Sequence, residues 1–142
     1  MFEVTDNFLH KNDFNKLEQV ICDPQFPWYY YPAITYEEGK EDLTEKDLTQ
    51  YQFTHMFYQH NKPNSNYFDT LLPLIDKLGC KALRTAVFYV NTNNGYTKFK
   101  KNNKKVSSIK NRVVVFNSNL EHLGTNTTNC KRRIVININY YQ

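Results

Sequence analysis

His122 and Arg133 are the two residues whose types and spacing suggest chemistry. The histidine lies between two strand-like runs, and the arginine follows it by eleven residues at the start of an alternating segment. Side chains change sides at each strand residue, so Arg133 shares a face with Val135 and Asn137. A guanidinium on an inward-leaning strand face needs an anionic partner, because burying an unpaired charge costs too much free energy. The pattern predicts an anion beside Arg133.

Arg132 is the neighbouring alternative for that role. It falls in phase with Ile134 and Ile136, whereas Arg133 falls in phase with the amide of Asn137. A planar fork of N–H donors matches a carboxylate bidentately, which suits an arginine on the polar face. We therefore expect Arg133 to bind the anion.

The spacing of His122 and Arg133 resembles the C-terminal half of the iron and 2-oxoglutarate dependent dioxygenases, in the prolyl-4-hydroxylase-like branch. The resemblance covers most of the chain, although only the histidine and the arginine carry chemistry. The other runs that look like this group follow in the same order: Phe26-Pro27-Trp28-Tyr29-Tyr30, Phe53 to Tyr58, Leu74 to Gly79, Thr85 to Asn91, Gly95-Tyr96-Thr97-Lys98-Phe99 and Val115 to Ser118.

The resemblance implies a role for each candidate site residue. His122 corresponds to the histidine that ligates iron from the far side of the barrel, and Arg133 to the residue that pairs with the distal carboxylate of 2-oxoglutarate. Thr97 and Asn137 are assigned to the same cosubstrate site, although Thr97 could equally be a strand threonine chosen for its β propensity. The implied cofactors are Fe(II) and 2-oxoglutarate.

The family's His-x-Asp pair, which supplies two of the three iron ligands, is missing. It should stand between Gly79 and Thr85, where only Cys80 to Arg84 occur. An iron(II) oxygenase needs two histidines and one carboxylate. None of the four histidines of this chain is followed by a carboxylate two residues on, and a rescue by His55 with Asp69 or Glu121 would need a tertiary coincidence. We expect no bound iron and an inactive, degenerate form of the enzyme.

Two alternatives remain open at this point. In the first, the functional protein is an active dioxygenase, and this chain lacks its His-x-Asp segment. In the second, the chain is a non-catalytic β-barrel module whose cleft, lined by Trp28, the nearby tyrosines and Arg133, binds an anionic small molecule or a peptide.

Composition bounds the class of protein. With 142 residues and 40% hydrophobic content, the chain is predicted to be a single domain over residues 1–142, with a helical and extended part at 1–84 and barrel strands at 85–142. No apolar run approaches the roughly 20 residues of a spanning helix, and the start lacks a signal-peptide pattern, so we expect a cytoplasmic protein without membrane contact. Cys22, Cys80 and Cys130 lack a Cys-x-x-Cys pattern and are predicted to be free thiols.

The net charge of +4 is unevenly spread. Acidic residues concentrate between Glu37 and Asp47, in a segment predicted to be an exposed loop, and basic residues concentrate between Lys98 and Arg112. A basic patch can bind nucleic acid. We instead expect the Lys100 to Lys105 run to be a solvated hairpin tip, so nucleic acid is not an expected partner.

Periodicity predicts an α+β fold rich in strands. A strand over Phe2 to Phe8 and a core-facing helix that ends at Asp23 come first. Trp28 to Tyr31 is predicted to be an extended edge that packs on the core rim. Tyr51 to Gln59 is predicted to be a strand that places His55 on an aromatic face with both ring nitrogens satisfied, and His60 is predicted to lie in a solvated turn.

The second half predicts the barrel. Asn64, Ser65 and Asn66 offer caps for a helix that should run towards Leu78, bent at Pro73 and stopped by Gly79. The strands that follow predict an incomplete double-stranded β-helix, a jelly-roll or cupin-like barrel with the N-terminal helices on its outer face. Because the missing segment would leave strand edges exposed, our hypothesis is a homodimer through those edges, an exchange of strands between two chains, or poor solubility. The predicted strands are Thr85 to Asn91, Tyr96 to Phe99, Val106 to Ile109, Val113 to Phe116, a short piece near His122, and Arg132 to Tyr140.

Overall fold

The structure is a computed structural model that describes residues 2–31, 51–79 and 84–140. Contacts divide the chain into two compact units, of which the first comprises Met1–Glu18 and Leu71–Gln142 and the second comprises Gln19–Thr70. The elements in chain order are β1 (Phe2–Thr5), α1 (Lys11–Cys22), β2 (Tyr29–Tyr31), β3 (Gln52–Thr54), β4 (Tyr58–Gln59), β5 (Lys62–Pro63), a 3₁₀ helix (Phe68–Leu71), α2 (Leu72–Leu78), β6 (Arg84–Tyr89), β7 (Tyr96–Phe99), β8 (Lys105–Ser107), β9 (Arg112–Asn117), β10 (His122–Gly124) and β11 (Val135–Tyr140).

Two antiparallel sheets form the first unit. One has four strands in the order β1-β9-β6-β11, and the other has three in the order β10-β7-β8. The expected β-rich, antiparallel second half is confirmed, and each predicted strand occurs within a few residues of its expected bounds. Among the strands that the structure describes, neither sheet closes on itself.

The core of the first unit lies between the two sheets. Alternation along β6 and β9 turns Tyr89 and Phe116 towards β7, which contributes Phe99, and all three side chains are buried. The ring of Phe99 stacks on Phe2 at 4.4 Å between centroids and meets Phe116 edge-on at 4.9 Å. Such buried aromatic contacts each add stabilisation beyond the apolar area they remove from water.

Within the first unit, α1 contacts the opposite face of the four-stranded sheet through Phe14. Apolar residues recur along this helix at Phe14, Leu17 and Ile21, and each is buried, as the period of 3.6 residues requires. Phe14 contacts Phe88 of β6, with 6.0 Å between ring centroids. The helix and its end before Asp23 agree with the sequence prediction, whereas β1 ends at Thr5, three residues before its predicted end.

The aromatic segments of the second unit depart from prediction. β2 pairs with β3, placing Tyr30 opposite Phe53, but these side chains are 61% and 55% exposed instead of packing on a core rim. Tyr29 and Tyr31 are also exposed, whereas Trp28 is half-buried against Phe26. The alternation correctly indicated extended chain, but a two-stranded ribbon offers its side chains little cover. The prediction that these tyrosines pack was wrong.

The predicted strand from Tyr51 to Gln59 and the predicted helix to Leu78 are each broken in two. β3 and β4 are separated at His55, and a 3₁₀ turn precedes α2. Pro73 lies in the first turn of α2, where the missing N–H is not needed, so it begins this helix instead of bending it. Gly79 ends the helix at φ +56, as expected.

Some predictions can be compared only in part. The acidic loop between Glu37 and Asp47, and Cys80 at the expected position of the missing segment, lie outside the described residues. Cys22 and Cys130 are free thiols, as predicted. His60 is exposed in a turn, also as predicted. None of the helices in the described ranges has the length and apolar character to cross a membrane.

Candidate anion-binding site

Arg133 lies two residues before the start of β11, and the side chain of Asn91 holds the backbone there. The amide of Asn91 donates from Nδ2 to the carbonyl oxygen of Arg132 at 2.9 Å and accepts at Oδ1 from the N–H of Ile134 at 2.9 Å. The N–H of Val90 also donates to the carbonyl of Ile134. This clamp fixes the backbone on both sides of Arg133, which narrows the directions its side chain can take.

The guanidinium of Arg133 lies among hydroxyl groups. Its Nε donates to Oγ of Ser108 at 2.9 Å, and Nη2 donates to Oγ1 of Thr97 at 3.4 Å. Cζ lies 5.6 Å from the centre of the Tyr89 ring, within cation–π range. Within the described residues, Nη1 makes no hydrogen bond and no carboxylate pairs with the guanidinium.

Burial is the main influence on the charge of this group. Burial lowers the pKa of Arg133, because removing the guanidinium from water disfavours the charged form. It raises the pKa of Tyr89, because the charged form of a tyrosine is the deprotonated phenolate. An arginine remains protonated even so. The site therefore presents a half-buried positive charge that is not neutralised by any described carboxylate.

Two glycines leave room for this side chain. A Cβ at Gly95 would come within 2.7 Å of Cδ of Arg133, and one at Gly124 would come within 3.3 Å of Nη1. Gly124 lies on exposed β10, and Nη1 lies beside it. The arrangement can accept a carboxylate or another small oxyanion at Nη1.

The hydroxyl groups of Tyr89, Thr97 and Ser108 lie on the buried side of the site. Tyr89 donates from its hydroxyl to Oγ1 of Thr97 at 2.7 Å, and both Thr97 and Ser108 are buried. Ser108 is positioned by two backbone hydrogen bonds, from its N–H to Gly95 and from the N–H of Asn93 to its carbonyl. Each hydroxyl keeps the flexibility to donate or accept, which suits contact with an anion.

His122 lies on the same face of the three-stranded sheet as Thr97. In the register of β10 with β7, His122 pairs with Phe99 and Gly124 pairs with Thr97. Gly124 lies beside Nη1 of Arg133, and His122 is two residues, about 6.8 Å, from Gly124 along β10. The His122 ring is exposed and meets the Phe116 ring edge-on at 4.7 Å. Its Nδ1 lies 3.0 Å from the carbonyl of Leu120. A carbonyl only accepts, so Nδ1 carries the proton and Nε2 keeps a lone pair in the neutral ring.

Asn137 shares the face of Arg133 but lies further along β11. It pairs with Val87 in register and is exposed, and four residues, about 13 Å of strand, separate it from Arg133. Exposed Arg132 contributes its carbonyl to the Asn91 clamp. Of the residues assigned to the cosubstrate site, Thr97 contacts the guanidinium directly.

Sequence reasoning missed Tyr89 and Ser108. Tyr89 is one residue of a continuously buried strand, and Ser108 follows β8 at its junction with the next turn. Strand alternation indicates which face of the sheet Tyr89 occupies, but not that its ring and hydroxyl would contact Arg133 and Thr97. Nothing local to Ser108 indicates that a side chain 25 residues away would donate to it.

His55, the alternative iron ligand, has both ring nitrogens engaged. Nδ1 lies 2.8 Å from the carbonyl of Pro27, and Nε2 lies 2.7 Å from Oγ of Ser65. The ring is half-buried in an aromatic setting that includes Phe26 at 4.5 Å. The expectation of a histidine satisfied by its neighbours is confirmed.

The donor set around His122 does not fit the iron centre that the resemblance implies. Throughout 2–31, 51–79 and 84–140, no three His, Cys, Asp or Glu side chains lie close enough to hold a metal ion together. Arg133, by contrast, fits a carboxylate. In comparisons with known proteins, no family model and no curated protein matches this chain.

Proposed function

We propose that this chain is a 2-oxoglutarate dioxygenase-like domain that binds 2-oxoglutarate, or a closely similar carboxylate, at Arg133 and does not turn it over. One observation carries the proposal: a half-buried guanidinium without a described carboxylate partner. Leaving such a charge unpaired is costly, so an anion that fills the position would be stabilising.

The topology supports an incomplete double-stranded β-helix as the framework. The chain passes between the four-stranded and three-stranded sheets after β6, after β8, after β9 and again after β10. Repeated passage between two facing antiparallel sheets is what a jelly-roll requires. The absent His-x-Asp segment would have supplied further strands, which accords with sheets that stay open among the described strands.

The chemistry at Arg133 suits a dicarboxylate. One carboxylate can bind Nη1, where a planar guanidinium offers directed donors, with the hydroxyls of Thr97 and Ser108 beside it. The ring of Tyr89 excludes water from one side of the guanidinium, and a lower local dielectric strengthens the pairing. The second carboxylate and the keto group would then extend along the face that carries His122.

The sequence supports the absence of turnover. Iron bound by the family would supply the activation of dioxygen, and it requires the His-x-Asp pair that no histidine of this chain provides. His122 alone offers one nitrogen, Nε2. In this proposal His122 has no partner ligands and contributes only to the lining of the site.

Thermal denaturation with 2-oxoglutarate in the presence of a chelator tests the binding proposal. At about 100 times its dissociation constant, a ligand that binds only the native state adds about 2.7 kcal/mol to the free energy of unfolding. We expect Arg133→Gln to abolish this gain. The matched control is Arg132→Gln, which makes the same change in charge at the exposed neighbour and should retain the gain. An equal response in both variants, or none in the wild type, would contradict the proposal.

Turnover is tested separately. Purified protein is supplied with Fe(II), ascorbate and 2-oxoglutarate, and succinate is measured against a His122→Ala variant. We expect the same background from both proteins. Succinate from the wild type well above that of the variant would show that the chain is an active dioxygenase, while leaving the carboxylate site at Arg133 intact.

A further inference from the structure

The second unit contains a cavity that is unrelated to Arg133. Its volume is about 290 Å³, near the lower end of the range for small-molecule sites, so it suits a head group better than a large ligand. It lies beside the end of α1. The residues that line it are Val20, Asp23, Gln25, Phe26 and Tyr67.

Two aromatic rings form the apolar part of the lining. The rings of Phe26 and Tyr67 lie 5.1 Å apart between centroids and are inclined at 55°, so they are not stacked face to face. Phe26 is 4% exposed and Tyr67 is 36% exposed. The electron-rich face of an aromatic ring attracts organic cations, and Tyr67 is the ring of this pair with exposed surface to offer.

His55 holds these two rings in position. It joins the carbonyl of Pro27, next to Phe26, to the hydroxyl of Ser65, and that hydroxyl accepts from the N–H of Tyr67 at 3.1 Å. The two segments are therefore connected through a single imidazole. A preformed pair of rings loses less entropy on binding than a mobile pair.

The polar part of the lining is negative. Asp23 follows the last residue of α1, and its Oδ1 accepts from the N–H of Gln25 at 2.7 Å. The C-terminal end of a helix carries partial negative charge, yet the last turn of α1 contains no basic residue. No cation among the described residues pairs with Asp23. A carboxylate at this end of a helix is electrostatically unfavourable unless a cation joins it.

We propose that this cavity binds an organic ammonium ion. Tyr67 would offer its ring to the diffuse charge, Phe26 would contact the alkyl groups, and Asp23 would pair with the ammonium group. A neutral apolar ligand would gain nothing from the carboxylate, and an anion would be repelled by both the carboxylate and the helix end. Because the whole chain has a net charge of +4, the preference for a cation would arise from this site and not from general attraction.

Trp28 reports on the site. It is the single tryptophan of the chain, and its ring lies 5.1 Å from that of Phe26. Its fluorescence is followed during titration with tetramethylammonium chloride, with sodium chloride as the ionic-strength control and tert-butanol as a neutral probe of similar size. We expect a saturable change with tetramethylammonium at a dissociation constant on the order of 1 mM, and much weaker binding of tert-butanol.

Two variants separate charge from packing. Asp23→Asn keeps an oxygen for the N–H of Gln25 but removes the charge, and it should weaken tetramethylammonium binding about fivefold, as expected for a partly exposed ion pair. Asp69→Asn makes the same change at an exposed position of the same unit and should leave the affinity unchanged. Tyr67→Leu should weaken binding of tetramethylammonium but not of tert-butanol.

Three results would each overturn the proposal. The first is tert-butanol binding as tightly as tetramethylammonium, which would indicate a merely apolar cavity. The second is an unchanged tetramethylammonium affinity in folded Asp23→Asn or in folded Tyr67→Leu, with folding checked by circular dichroism. The third is a wild-type response that does not exceed the sodium chloride control.

Discussion

Arg112 and Arg133 are two arginines close to the same buried tyrosine, and they differ in their partners. Arg112 pairs with Tyr89 across β9 and β6, and its guanidinium binds Asp6 through Nε and Nη2, the latter at 2.9 Å. This hydrogen bonding raises the pKa of Arg112. At Arg133 burial lowers the pKa, and the hydrogen bonds go to neutral hydroxyls.

The difference distinguishes a structural cation from one that is available to a ligand. Arg112 ties the end of β1 to β9 and also donates from Nη1 to the carbonyl of Ser107 at 3.3 Å. All of its nitrogens are engaged. Arg133 is held in place by Asn91 and the hydroxyls, but within the part of the chain that the structure describes its Nη1, beside Gly124, has no hydrogen-bond partner. Precise positioning without charge compensation is typical of a binding site.

The largest predicted effect disrupts the Arg133 region. In Gly95→Ala the new Cβ would lie 2.7 Å from Cδ of Arg133 and 2.8 Å from Oδ1 of Asn93, so the side chain must move. We expect a loss of about 1–3 kcal/mol in the free energy of unfolding, measured by urea denaturation, together with loss of the response to 2-oxoglutarate.

Gly124→Ala is the matched control for that change. Its Cβ would lie 3.3 Å from Nη1 on an exposed strand, so stability should change little while the affinity for 2-oxoglutarate falls. Should Gly95→Ala bind 2-oxoglutarate as the wild type does, the position of the Arg133 side chain would not matter for binding.

The next effect compares the two arginines directly, without ligand. Arg112→Met removes a paired cation and leaves Asp6 alone, and we expect it to cost about 1 kcal/mol. Arg133→Met removes a charge whose burial is uncompensated, so we expect a change of no more than about 0.5 kcal/mol. Urea denaturation of both variants measures the difference. A larger loss in Arg133→Met than in Arg112→Met would reverse the assignment of roles.

The smallest predicted effect is on the pH dependence of stability. Protonation of Asp6 at low pH leaves Arg112, like Arg133, without a described carboxylate partner. The hydrogen bond from Arg112 lowers the pKa of Asp6 in the folded protein. The resulting stability is present above the unfolded pKa of about 3.9 and is lost as the pH falls through the folded pKa. Because Asp6 has a side chain that is 52% exposed, the pair contributes about 0.5 kcal/mol to the free energy of unfolding.

The free energy of unfolding, measured between about pH 5 and pH 2, should fall less steeply in Asp6→Asn than in the wild type. Parallel curves would show that the pair contributes nothing.

Local patterns predicted much of the fold. The period of α1, the stop at Gly79 and the strands from β6 to β11 are short-range features, because propensity, phase and turn residues act within a few positions. The same phase argument predicted that Arg133 shares a face with Asn137. The register of β11 with β6 begins at Val135, and it places Asn137 opposite the buried side chain of Val87. His55 was also predictable, since a histidine among aromatic residues is usually satisfied by its neighbours.

Local patterns failed where a neighbouring layer decides the outcome. Alternation in the tyrosine-rich segment indicated an extended strand with two faces. It could not indicate that side chains on both faces would be exposed to solvent, as Tyr30 is at 61%. Pro73 fits a helix start as well as a bend, and the choice depends on where the preceding turn ends. The partners of the guanidinium, Ser108 and Thr97, come from two other segments of the chain.

The sequence by itself determined which residues can carry charge and which face of a strand they occupy, because alternation and hydrogen-bonding capacity are properties of the chain alone. It also determined that no histidine is followed by a carboxylate two residues on. Only the tertiary structure decided that Asp6 neutralises Arg112 while Arg133 meets hydroxyl groups. Pairing and desolvation depend on distances between segments that are remote in sequence. For Arg112 these distances are set by the pairing of β1 with β9, and for Arg133 by the packing of the two sheets.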